Sequence, residues 1–165
     1  FDSKDGVNIM KGYMESGEFS RGKESIRAEG GVVMVGNFDV DVQQQQRIGH
    51  LFSPLAPEMR DDTAFHDRIH CYAPGWDFPK LNPNDHLTNH FGLVSDFLSE
   101  CWSRLREQSR ASVVQNRIYW GGALSGRDIN AVQKTISGLT KLLFPDPDMP
   151  IADDDMEWMV RLALE

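Results

Sequence analysis

The chain has 165 residues, a formal net charge of -8, 40% hydrophobic residues and 25% charged residues. That is enough apolar material for a packed core, and an acidic chain does not bind nucleic acid over its whole surface, so any such contact needs a local basic patch. No apolar run approaches the roughly 18 residues that cross a membrane, and no charged-then-apolar leader is present. Cys71 and Cys101 lack C-x-x-C spacing and fit a reducing cytoplasm.

The chain opens on Phe1 and runs straight into an amphipathic segment, which reads as a piece of a longer protein. Val7, Met10, Lys11 and Met14 recur at helical spacing, predicting a helix over Lys4–Glu15 that stops at Gly17. Glu18–Glu29 alternates loosely and reads as a hairpin with Gly22 in its turn, and Arg21 and Lys23 at its tip. Gly30–Asp39 is the stretch the rest is organised around. Val32–Val35 is a β-branched apolar run between glycines, predicted to be a strand buried on both faces. Asn37 and Asp39 then sit at the carboxyl edge of a sheet, where open α/β sheets place ligands. Both residue types also favour plain turns.

The Gln43–Gln46 run reads as a polar helix face or a loop, and Pro54 and Pro57 break the chain before Glu58. Glu58–His70 predicts a short helix and a turn, and Ile69–Ala73 a second strand. From Asn84 the apolar residues recur every three or four positions, predicting a long helix over Pro83–Gln108. Arg104, Arg106 and Arg110 gather at its end, where cations suit the helix dipole. Ser125 followed by Asp128 has the spacing of a capping box, with aspartate in place of Glu or Gln, opening a helix that ends at Pro145-Asp146-Pro147. Asp153–Asp155 start a last helix through Trp158 and Leu162. The reading is α/β over residues 1–77 and all-helical over residues 78–165.

His66/His70 and His86/His90 have the i, i+4 spacing of metal ligands, but they fall in different segments with no glutamate between, and no metal site is expected. Neither a G-x-S-x-G elbow nor a G-x-x-x-x-G-K-[ST] phosphate loop is present, and no spacing supports a Lys/Ser dyad. Arg68 and Arg127 stand out by position: one just before a predicted strand, the other in the first turn of a capped helix. An arginine fork suits phosphate. Ion pairing of Arg68 with Asp61, Asp62 or Asp67, and plain exposure of Arg127, are the alternatives.

The runs IMKGYMESGEFSRG, MRDDTAFHDRIHCYAPGWDFPK and SGRDINAVQKTISGLTKLL resemble the Lon-like AAA+ proteins of BREX phage-defence systems, commonly named ATP-dependent Lon-type proteases. The resemblance covers nearly the whole chain. It implies a partial AAA+ P-loop-type core followed by a helical lid. Walker A and Walker B fall before Phe1, so ATP and Mg belong to the parent protein and this stretch alone is expected to be inactive. Asn37 resembles the sensor-1 residue, Arg68 the arginine finger lent to a neighbouring subunit, with Arg60 a substitute, and Arg127 the sensor-2 arginine of the lid. The hairpin matches the pore hairpin of related ring helicases, so Arg21 and Lys23 would meet DNA. If the pore threads polypeptide, Phe19 would grip it. The implied assembly is a cytoplasmic, self-associating ring acting on DNA or protein, with no membrane partner. A non-enzymatic module that binds through the hairpin or the helical surface is the other reading.

Overall fold

The computed structural model describes residues 4–39, 41–48 and 51–164, without the side chains of Arg21 and Ile48. The chain forms two units, Phe1–Ile69 and His70–Glu165. The boundary expected after residue 77 rests on where predicted strands give way to predicted helices. Each unit has its own buried cluster.

In the first unit the helical stripe forms helix α1, Lys4–Ser16, and Gly17 ends it at φ 74°, a conformation that costs glycine least. The hairpin follows as β1 (Glu18–Arg21) and β2 (Glu24–Arg27), antiparallel, with Gly22 in the turn at φ 66°. Its register sets Phe19 opposite Ile26 and Glu18 opposite Arg27. After α2 (Val42–Ile48) come two single-turn helices, α3 (Pro57–Arg60) and α4 (Thr63–His66). Pro57 sits in the first turn of α3, where its missing N–H costs nothing. Gln45 of the glutamine run is buried and donates to Ser53 Oγ at 2.9 Å. Val7, Met59 and Phe65 form the core of this unit, covered by Met10, Met14, Leu55 and Ile69.

Neither predicted central strand forms. Val32, Val33, Met34 and Val35 are 40, 85, 37 and 94% exposed, which is the alternation of an extended chain with one face packed and the other in solvent. Their backbone joins no ladder among the described residues, where β1–β2 is the only sheet. An apolar run becomes a strand only where a neighbouring strand accepts its N–H and C=O groups, and none is placed beside this one. Residues 69–73 are irregular for the same reason.

The second unit contains helices alone as regular elements among its described residues. After a 3-10 turn at Gly75–Asp77 come α5 (Pro83–His86) and α6 (Ser95–Arg106). The single helix expected over 83–108 is therefore broken. Leu87, Phe91, Leu93 and Val94 are 67–107% exposed. An amphipathic stripe that packs against nothing does not hold a helix, and Gly92 adds its own backbone entropy cost. A 3-10 turn at Ala111–Val113 leads to α7 (Gly126–Leu143) and α8 (Asp153–Leu164). Val132 and Ile136 of α7 pack on Met156 and Met159 of α8 and on Val114.

Candidate functional site

Two single-turn helices cannot satisfy their own end groups; the side chain just before α4 caps it, and a lysine of α1 holds that cap. Asp62 caps α4 by accepting from Phe65 N at 3.0 Å and also takes the Lys11 ammonium at 2.6 Å. That lysine hydrogen bond holds the Asp62 carboxyl below its ordinary range. Arg68 then turns back onto the same helix. Its Nε donates to Lys11 O at 3.1 Å and lies 3.0 Å from Glu15 Oε2, and its Nη1 donates to Ala64 O. Its side chain is 19% exposed. The ion pair goes to Glu15, none of the three aspartates weighed from the sequence. Arg60 instead pairs with Asp61 at 3.0 Å, which raises its affinity for a proton.

Asn37 ends a segment tied down at two points. Tyr13 Oη donates to Gly30 O at 2.6 Å. A Cβ on Gly36 would stand 2.8 Å from Pro54 Cβ, a contact only glycine allows. The Asn37 amide is exposed and has no hydrogen-bond partner among the described residues, so both ends of the amide are available to a ligand. Tyr13 and Gly36 were not singled out from the sequence. The only signal was a glycine beside a strand-like run.

Arg127 lies in the first turn of α7, exposed, behind a complete capping box. Ser125 Oγ accepts from Asp128 N at 3.3 Å and Ser125 N donates to Asp128 Oδ2 at 2.7 Å. Aspartate reaches as glutamate would, and its bonds to Ser125 hold its carboxyl below the ordinary range. Ser125→Ala is expected to destabilise the second unit by about 1 kcal/mol. Denaturant unfolding followed by tryptophan fluorescence measures it, and an unchanged midpoint would show that the cap holds nothing. Asn37 and Arg68 thus belong to the first unit and Arg127 to the second.

Lys23 is exposed at the hairpin tip, while the Arg21 side chain lies outside what is described. Phe19 does not stand at the tip. It is half-buried, with its ring edge-on to Tyr13 at 6.1 Å and 81°. A side chain packed against α1 is not presented for gripping a polypeptide.

The pair His66/His70 falls in two different units. His66 stacks on Phe52 at 4.3 Å in the first unit. In the second, His70 O accepts from Thr135 Oγ1 at 2.9 Å, and His86 Nδ1 accepts from Asn82 N at 2.7 Å. Among the described residues no three His, Cys, Asp or Glu side chains gather as a metal site, and no helix is long and apolar enough to cross a membrane.

A helical chain with one small hairpin and an exposed amide after an extended apolar run is consistent with part of an ATPase-type α/β domain. The chain belongs to the family of the ATPase domain of Lon-like protease BrxL-like proteins, whose model matches residues 1–165. It is 41% identical over 164 residues to Lon-like protease BrxL of Bacillus cereus (strain H3081.97), covering 99% of this chain and 24% of that protein. It is 44% identical over 146 residues to Lon-like protease BrxL of Escherichia coli O9:H4 (strain HS), covering 88% and 21%. The chain therefore spans about a quarter or less of the length of these relatives.

Proposed function

We propose that this chain is part of the ATP-hydrolysing motor of a BREX-type defence system and supplies its sensing and trans-acting groups. The observation that carries this reading is the match of the whole chain to the ATPase domain of its family. ATP with Mg supplies the transferable phosphoryl group, and the loop that grips a triphosphate is not in this sequence. Asn37, with its exposed amide, would orient water at the γ-phosphate. Arg127, held at the start of a capped helix, would report nucleotide state from a helical lid. Arg68 would reach a neighbouring subunit in a ring.

Between the two cargoes, DNA is favoured over polypeptide by the hairpin itself. Lys23 is exposed at the turn, whereas Phe19 packs inward. Phosphate contacts by two cations on an acidic body are local and salt-sensitive. In the full-length protein, Arg21→Ala/Lys23→Ala is expected to weaken duplex DNA binding and to reduce the slope of log K against log salt by about 1.8, close to 0.9 per phosphate contact. An unchanged slope would remove the hairpin from the DNA path. Casein cleavage by the full-length protein would instead favour the protease reading carried by the relatives' names.

A further inference from the structure

Three cations meet where α6 and α7 end. Arg106 is the last residue of α6, Lys141 lies in the last turn of α7, and Arg110 sits between the two helices in sequence. Lys141 Nζ donates to Arg106 O at 3.2 Å. Arg110 N donates to Ser137 Oγ at 3.3 Å and Arg110 Nη2 to Pro145 O at 2.8 Å, so its side chain is locked against the end of α7. Arg110 is only 6% exposed, and its Nε finds no acceptor.

None of the three has a carboxylate partner among the described residues. This holds in a chain with 25 acids against 17 bases. Glu100 pairs with Arg104 at 2.9 Å, Asp146 accepts from Asp148 N at 3.0 Å, and Glu107, next to Arg106 in sequence, makes no ion pair with it among the described residues. Helix-end carbonyls explain one hydrogen bond each from Lys141 and Arg110. They do not neutralise three positive charges, one of them buried, and an uncompensated buried charge is among the costliest features a fold can carry. Burial, followed by the neighbouring Arg110 and Arg106, also lowers the affinity of Lys141 for a proton, so the ammonium is under repulsion as it stands. An incoming oxyanion would relieve all of this at once.

We propose that Arg106, Arg110 and Lys141 form a phosphate-binding site at the α6–α7 junction, made of residues other than the three assigned to ATP. Arg110 provides a fixed positive floor, Lys141 a half-buried donor, and Arg106 the exposed arm. The phosphate is either free, as in pyrophosphate, or part of a nucleic-acid backbone; the chemistry recognised is the same.

The test uses the full-length protein saturated with ADP, so that the ATPase site is occupied. Titrations are made with inorganic pyrophosphate and, separately, with short duplex DNA. Lys141→Gln keeps a donor for the Arg106 carbonyl while removing charge, and Arg106→Gln alters an exposed side chain. Each is expected to weaken phosphate binding about tenfold, as the loss of one charge-assisted hydrogen bond does. Weakened pyrophosphate binding identifies a free phosphate as the ligand, and weakened DNA binding alone identifies the backbone. If both variants melt as the parent does and neither affinity moves, the cluster serves only the helix ends and the proposal is overturned.

Discussion

Replacing Arg68 by alanine in the full-length protein should lower ATP turnover about a thousandfold or more, while nucleotide affinity stays within a few fold. A finger acts on charge that develops in the transition state, so its loss is felt in turnover and little in ground-state binding. The structure adds a competing role. Arg68 joins α4 to α1 through Lys11 O, Ala64 O and Glu15, so its removal also loosens the first unit, by about 1–3 kcal/mol for partly buried hydrogen bonds. Two further measurements separate the roles. Glu15→Gln removes the ion pair but leaves the guanidinium, and it should keep turnover near the parent value. Mixing Arg68→Ala chains with Asn37→Ala chains should recover part of the activity that neither shows alone, because a finger in one subunit serves a sensor in the next. Equal loss of binding and turnover in Arg68→Ala, or no recovery on mixing, would reduce Arg68 to a structural tie.

Ile136→Ala should cost about 2–5 kcal/mol, the range for truncating a fully buried aliphatic side chain and leaving a cavity. Ile136 is 0% exposed and packs among Val132, Met156, Met159 and Val114. Thr140, one turn on, is also buried and has its hydroxyl 3.7 Å from Met159 Sδ, so the hole cannot close by sliding α8 without breaking that contact. All four tryptophans, Trp76, Trp102, Trp120 and Trp158, lie in the second unit, and Trp120 packs against this cluster. Tryptophan fluorescence in denaturant therefore reads the loss directly. A cost below about 1 kcal/mol, the scale of an ordinary surface change, would mean that the α7–α8 contact is not the core of this unit.

Elements whose signals are local were legible. The α1 stripe and its Gly17 stop, the Gly22 turn, the Ser125–Asp128 cap and the acidic start of α8 each depend on residues within a turn or two. Elements that depend on a distant partner were not. Val32–Val35 has the composition of a buried strand and stays unpaired, and the stripe from Leu87 to Leu105 loses its first half where nothing covers it. The site divides in the same way. Residue type and position singled out Asn37, Arg68 and Arg127, but not the carbonyls and the carboxylate that hold Arg68, nor the burial of Arg110.

The order of residues alone determined where α1, α7 and α8 begin or stop and which face of each is apolar, which follow from backbone sterics, capping and short-range periodicity. The family resemblance rests instead on the runs of residues that match it. Only the tertiary arrangement decided which apolar faces are covered, that Arg68 turns back onto α1, and that Arg110 is buried with no carboxylate partner among the described residues. Burial and charge compensation depend on groups far apart in the chain, here 57 positions between Lys11 and Arg68 and 35 between Arg110 and Pro145.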